Sequence, residues 1–338
     1  MKKSTIGAVI VFLLLTVVDL ASKIQPPSLT LPPTDQSIEL YSNQTGDDLT
    51  HLYVSAIQGA KESITFVIYA LTDPLIIEAL NQRSKAGIPV HIVCDAKATK
   101  GAANKLLKAT FIKRVCKGIA HQKILVIDQK QILLGSANMT TGSLTLHGNL
   151  VMALDHPELA EVIIKKVHSM DDEGNTALIP HTKTIANNQN IELWFLPDER
   201  QAVTRLTELI RSAQKTIKIA MFTWTHKQLT KELAEARIRG VHVETILDRQ
   251  SGKGVSAGVF QLLEKGGLAP RLSTGQGLLH HKFVYIDDTI LVNGSANWTF
   301  AAFNKNDDCF MILFPLNEDQ QNKMNHLWTV IQNKSMRP

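Results

Sequence analysis

The chain carries one constellation of residues twice. "AHQKILVIDQKQILLGSANMT", Ala120 to Thr140, and "LHHKFVYIDDTILVNGSANWT", Leu279 to Thr299, each place a lysine two residues after a histidine, an aspartate seven after it and a Gly-Ser-Ala-Asn turn starting fourteen after it. The repetition reaches outward from there. Ile38, Ile64, Gly87 and Asp95 recur as Ile191, Ile217, Gly240 and Asp248, each pair 153 residues apart (191 − 38), and His121 and His280 are 159 apart (280 − 121). A repeat of this length reads as two similar lobes, the second with six extra residues between Asp248 and His280. A chain of 338 residues with 44% hydrophobic content has enough apolar material for two such cores.

Within each copy, short β-rich apolar runs alternate with longer runs of helical period, which reads as α/β with a mixed sheet flanked by helices. The first lobe is predicted over 37–172 and the second over 191–335, with the aperiodic stretch 173–190 between them as a linker. "GKGVSAG", Gly252 to Gly258, lacks the spacing of a phosphate-cradling glycine loop and reads as an ordinary loop.

Residues 1–23 pair two lysines with an apolar run from Ile6 to Val18, too short to span a bilayer in the ordinary way and matching a secretory signal or N-terminal membrane anchor. A proline-rich linker follows over 24–36. An exported or membrane-anchored protein is therefore expected. The net charge of +5 is too modest to imply nucleic acid by itself. Cys94, Cys116 and Cys309 have no metal-ligand spacing and no disulfide framework, so burial as small hydrophobes is expected for Cys94 and Cys309, which lie in strand-like runs.

His121 and Lys123 share a strand face, as do His280 and Lys282, because i and i+2 point the same way. Asp128 and Asp287, at an odd offset, fall at the hairpin turns and read as positioning groups. Two such faces brought together offer two imidazoles and two ammonium groups to one phosphate. That suits phosphoryl transfer through a covalent histidine, with one imidazole attacking and the other protonating the leaving oxygen, and it requires no metal or other cofactor.

HxKxxxxD with GSxN fourteen residues on, present in duplicate, resembles the phospholipase D superfamily, and the resemblance covers nearly all of the chain after residue 36. It implies a pseudo-twofold α/β/α sandwich with one active site at the lobe interface and a phosphodiester substrate. Carried onto this chain, it implies catalysis by His121, Lys123, His280 and Lys282, with Asp128 and Asp287 holding the motif and Ser136, Asn138, Ser295 and Asn297 supporting the phosphate. In this family an acidic residue after GSxN supports the motif histidine. Asp308, twenty-eight residues after His280, is expected to face that histidine and keep it protonated as the acid. Asn149 occupies the matching place after His121, which is left as the nucleophile. Phospholipid is the expected substrate because of the N-terminal segment, with an endonuclease as the alternative; a cardiolipin synthase-like transferase and an inactive binding protein rank lower. With both half-sites in one chain, a monomer is expected.

Overall fold

A computed structural model describes residues 37–99, 101, 106 and 108–337. The N-terminal segment and the proline-rich linker lie outside the described residues. From residue 37 on, the chain belongs to one compact unit.

The first lobe is built from β1 (Ile38–Tyr41), α1 (Leu49–Gly59), β2 (Ile64–Ile68), α2 (Pro74–Lys85), β3 (Val90–Asp95), β4 (Thr110–Arg114), β5 (Lys123–Ile127), β6 (Gln131–Gly135), α3 (Thr141–Thr145), β7 (Val151–Asp155) and α4 (Pro157–His168). Its seven strands form one sheet in the order β1-β7-β6-β5-β2-β3-β4, parallel across β2, β3 and β4 and antiparallel elsewhere.

The second lobe repeats the plan with β9 (Gln189–Leu196), α5 (Ala202–Ser212), β10 (Thr216–Met221), α6 (Lys227–Ile238), β11 (His242–Leu247), β12 (Arg271–Ser273), β13 (Lys282–Ile286), β14 (Ile290–Gly294), α9 (Phe300–Asn304), β15 (Asp308–Phe314) and α10 (Glu318–Asn333). Its sheet adds an edge strand on each side, β8 (Thr182–Ala186) and β16 (Ser335–Met336), giving β16-β12-β11-β10-β13-β14-β15-β9-β8. With the two additions removed, the strand orders are the same.

Two expectations need correction. The stretch 173–190 is not purely a connector, because β8 lies in it and pairs antiparallel with β9, Ile185 opposite Asn190. Thr182 and Thr184 take the half-buried positions of β8 while Ile185 is exposed, so no apolar alternation marks the strand in the sequence. The extra residues of the second lobe are largely helical: α7 (Arg249–Lys253) and α8 (Ala257–Lys265) take in most of the glycine-bearing stretch read as a loop. Asp248 starts α7 by accepting the amides of Gln250 and Ser251.

An apolar cluster runs through both lobes. It joins Val67, Ile124 and Leu134 of the first sheet and Ile163 of α4 to Phe283, Tyr285 and Met311 of the second sheet and Leu327 of α10. A second cluster covers the other face of the second sheet with α5, α6 and α8, through Leu206, Leu233 and Phe260. Hence each lobe is an α/β layer structure, and the lobes share a core. Two glycines set the spacing near the site. A Cβ on Gly135 would meet the Leu150 carbonyl at 2.2 Å, and one on Gly294 the Cys309 carbonyl at 2.4 Å, so β6–β7 and β14–β15 close tightly only with glycine there.

The aspartates at the far ends of β5 and β13 explain why the motif needs them. Asp128 and Gln129 have φ of 50° and 56°, and Asp287 and Asp288 of 50° and 55°, which makes both turns the type I′ form in which Asp is tolerated. The Asp128 carboxylate accepts the amides of Lys61, Glu62 and Ser63, and Asp287 those of Gln214, Lys215 and Thr216, tying each hairpin to the start of β2 or β10. Asp128→Ala should therefore cost about 2 kcal/mol, the worth of hydrogen bonds to a charged acceptor. Urea unfolding checks this, and a change within about 0.5 kcal/mol, as at an ordinary surface site, would contradict it.

Candidate active site

β2 and β5 are antiparallel with Ile68 opposite Lys123, so the end of β2 and the start of β5 lie at one end of the sheet; Met221 opposite Lys282 does the same in the second lobe. His121 and His280 sit just before β5 and β13 rather than within them. Two main-chain contacts hold them across the lobe boundary. Ala120 forms a parallel bridge with Asp307, and Leu279 forms one with Gly148, the same two positions of the repeat exchanged. The amides of His121 and Gln122 both donate to the Asp307 carbonyl, at 2.8 and 2.9 Å, and that of Gly148 donates to Leu278.

This exchange overturns the expected partner of each histidine. The residue after each bridge faces the other lobe's imidazole: Asp308 Oδ1 is 2.8 Å from His121 Nδ1, and Asn149 Oδ1 is 3.0 Å from His280 Nδ1. Asp308 does not support His280. Offsets counted within one copy cannot reveal that the copies trade partners.

The surrounding bonds decide the proton positions. Asn149 Nδ2 donates to the carbonyls of Ser143 and His147, so its Oδ1 is an acceptor, and His280 must donate from Nδ1. Asp308 also accepts from Ser295 Oγ at 2.6 Å and from Asn306 Nδ2 at 3.1 Å, and it accepts the His121 Nδ1 proton. Both imidazoles therefore keep Nε2 for chemistry.

The two motif serines lie elsewhere than expected. Ser136 Oγ donates to Asn149 Oδ1 and receives the Leu150 amide, while Ser295 Oγ donates to Asp308 and receives the Cys309 amide. Their single protons are committed, so they orient the partners of the histidines and cannot also donate to a phosphate. Asn138 and Asn297 remain on the turns, Asn297 Oδ1 accepting the Thr223 amide while Asn138 Oδ1 is buried without a partner. Each carboxamide NH2 keeps donors for an anion. Asp128 and Asp287 lie at the opposite ends of their strands, away from the histidines.

Lys123 and Lys282 are buried, and each Nζ donates to the carbonyl of its own histidine, His121 and His280. Each also lies over an aromatic ring, Lys123 over Tyr69 at 5.2 Å and Lys282 over Phe222 at 4.8 Å. The same rings contact the imidazoles, Tyr69 with His121 and Phe222 with His280.

The motif did not point to these aromatics, although they stand at equivalent places, directly after β2 and β10. Asp95 and Asp248 were visible only as repeated positions. They anchor the residues preceding the histidines, accepting the amides of Ala120 and Leu279 at 3.0 Å. His281, next to the motif histidine, is buried with Nε2 2.8 Å from Gln44 Oε1.

Burial and neighbouring charge hold down the positive charge of the site. Desolvation and Lys123 push His121 down to about 4, with Asp308 opposing, and desolvation with Lys282 pushes His280 well below its ordinary value. Desolvation takes Lys123 down to about 7. Burial raises the Asp308 carboxyl, but His121 and Lys123 outweigh it and hold the group below its ordinary value.

A stability consequence follows. Folded His121 stays neutral down to about 4 and buried His281 down to about 3, while the unfolded imidazoles take protons near 6.5. Through that window the unfolded chain binds more protons, so stability falls as the pH drops from about 6.5 to 4, by about 1.4 kcal/mol per pH unit for each such group. Urea midpoints that stay level from pH 7 to 4.5 would contradict this.

Among the described residues, no three His, Cys, Asp or Glu side chains are grouped as metal ligands. A family model described as "Cardiolipin synthase, PLD-like domain" matches residues 53–170 and again 206–328. The chain belongs to the phospholipase D superfamily. The two matched segments start 153 residues apart (206 − 53), the offset of the internal repeat.

Within the superfamily, the chain is 32% identical over 119 residues to the mitochondrial cardiolipin hydrolase of Xenopus laevis, covering 35% of this chain and 55% of that protein. It is 30% identical over 131 residues to the phospholipase D of Rickettsia prowazekii, covering 37% of this chain and 64% of that one. The chain thus spans between half and two thirds of the length of these relatives. The crystal structure of phosphatidylserine synthase from Haemophilus influenzae superposes with a TM-score of 0.69 at 14% identity, covering 91% of this chain and 88% of that one, a likeness of fold. No helix among the described residues is long and apolar enough to cross a membrane.

Proposed function

We propose that the protein is a phosphodiesterase of the phospholipase D type that hydrolyses a phospholipid through a phosphohistidine on His121. The observation that carries this reading is the crossed pair, His121 on Asp308 and His280 on Asn149, which gives two equivalent imidazoles different chemistry.

His121 Nε2 attacks phosphorus. As the P–N bond forms, the ring gains positive charge, and the buried Asp308 carboxylate behind Nδ1 stabilises it. His280 has only a neutral amide behind it, so once protonated it gives up its Nε2 proton readily. The approach of an anionic phosphodiester favours that protonation. The proton passes to the leaving oxygen as the P–O bond breaks. Water then attacks phosphorus, His280 takes its proton, and the P–N bond breaks to release a phosphomonoester and free His121. Lys123, Lys282, Asn138 and Asn297 hold the non-bridging oxygens. The assignment of His121 as nucleophile agrees with the sequence reading, but for the opposite reason: the carboxylate supports the attacking ring.

Lipid is favoured over nucleic acid by the relatives, named phospholipase D and cardiolipin hydrolase. A membrane-associated location outside the cytoplasm fits that substrate and the N-terminal segment. The test offers the purified chain phospholipid vesicles and single-stranded DNA, each with and without EDTA. Release of a phosphomonoester lipid, undiminished by EDTA, is expected, because lysines supply the positive charge that a metal ion supplies in other phosphodiesterases. Cleavage of DNA alone would transfer the chemistry to the nuclease reading. A requirement for magnesium would overturn the mechanism.

A further inference from the structure

The loops that carry the site form one end of the molecule, and their exposed surface differs from the other end. They follow β2, β3, β6, β10, β11 and β14 and precede β5 and β13. Large apolar side chains stand exposed on them: Leu75 at the start of α2, Leu146 after α3, Val255 between α7 and α8, and Phe300 at the start of α9. Leu146 is 54% and Phe300 63% exposed. The charged side chains exposed among them include Lys97, Lys227, Arg249, Lys253 and Lys305, with the Lys305 ammonium over the Phe300 ring.

The carboxylates of these loops, Asp73, Asp95, Asp248, Asp307 and Asp308, are all buried. The loop after β1 and the segment after α4 reach the same end and expose Asp48, Asp172 and Glu173, so basic side chains outnumber acidic ones there without excluding them. The opposite end mixes both signs, with Lys61, Lys130 and Lys215 beside Glu62, Glu158 and Glu318. A predominantly basic surface interleaved with isolated apolar tips is suited to settle on an anionic bilayer: the lysines meet the headgroups and the tips enter the acyl boundary.

We infer that the site end is a docking surface for an anionic lipid bilayer, which places the mouth of the site at the headgroup level. A basic face also attracts nucleic acid, but three of the four tips are aliphatic and offer no ring on which a base can stack, whereas lipid accepts them. The inference rests on the lipid reading of the substrate. It goes beyond that reading, because a hydrolase could equally take lipid monomers from solution.

The four native tryptophans, Trp194, Trp224, Trp298 and Trp328, are all buried, so an added one reports on its own position even if residues 1–36 also hold the chain to the membrane. Phe300→Trp and, at the far end, Ile238→Trp are compared in the full chain, using vesicles of brominated phosphatidylcholine with and without phosphatidylglycerol. Quenching of the added emission is expected for Phe300→Trp and not for Ile238→Trp, with about tenfold stronger binding when phosphatidylglycerol is present. Replacing Leu146 and Phe300 together by serine should lower turnover on those vesicles about tenfold or more, while turnover of a dispersed short-chain phospholipid stays within about twofold.

Bound protein with no quenching at Phe300→Trp, or equal quenching at both positions, would overturn the docking surface. So would a concentration-dependent blue shift of Phe300→Trp without lipid, which would mean that a second copy covers the face. If the short-chain lipid is hydrolysed but quenching is absent, docking fails and the substrate reading stands. If neither lipid form is hydrolysed and DNA is cleaved, the substrate reading fails and takes this inference with it.

Discussion

His121→Asn and His280→Asn should each reduce turnover of an ordinary phospholipid by about 10⁴-fold or more, and the double variant should be little worse than either. The reason is geometric. The main-chain bridges Ala120–Asp307 and Gly148–Leu279 make one site out of two half-sites, so neither histidine has a site of its own. Losing the nucleophile stops the first bond from forming. Losing the acid strands an alkoxide leaving group and leaves no base for water. Nearly additive losses, or most of the activity surviving in either single variant, would mean that the copies act separately. Asparagine nearly preserves the size of the imidazole's first ring atoms, and a urea midpoint close to that of the parent separates a chemical loss from an unfolded one.

The second large effect concerns the partners of the histidines. Asp308→Asn removes the charge that stabilises His121 as it becomes phosphorylated, and turnover should fall about 10²- to 10³-fold whether the leaving group is good or poor. Asn149→Asp should behave differently. A carboxylate behind His280 makes it a weaker acid, so turnover of an alkyl ester should fall, while a nitrophenyl ester, whose leaving group departs without a proton, should react within about threefold of the parent rate. The Asn149→Asp profile should also shift its proton-donating limb to higher pH, since the new carboxylate raises the His280 pKa. Equal losses on both esters in Asn149→Asp, with no shift, would show that Asn149 has only a packing role.

The internal repeat made much of this molecule legible from its sequence. Two lobes, the equivalent strands β5 and β13 with their turns, and the placing of His121, Lys123, His280 and Lys282 at the same end of their sheets all followed from residues that recur at fixed offsets. What lay beyond reach was whatever passes between the copies. Asp308 is far closer in sequence to His280 than to His121, and it is bonded to His121 only because Asp307 pairs with Ala120 of the other lobe. The serines of the two turns looked like phosphate ligands because a hydroxyl after a glycine turn often is one, but here their protons go to Asn149 and Asp308. Asp95 and Asp248 were visible as a pair, yet nothing local says that they hold Ala120 and Leu279. α7 was hidden by Gly252 and Gly254, which weaken the helical pattern although Asp248 caps the turn.

In the proposed route phosphorus becomes bonded to His121 in the course of the reaction. That step is tested most directly by mixing the His280→Asn protein with a nitrophenyl phosphodiester, quenching at early times and locating the modified residue by mass spectrometry of the digested chain. The leaving group needs no proton, so the first step proceeds. The second stalls for want of the base that activates water. A phosphoryl monoester joined through a P–N bond is expected on the peptide containing His121, accumulating in proportion to released nitrophenol, and none in His121→Asn. An adduct on His280 in the His121→Asn protein would reverse the roles, and release of nitrophenol by His280→Asn with no adduct on any histidine would contradict the covalent route itself.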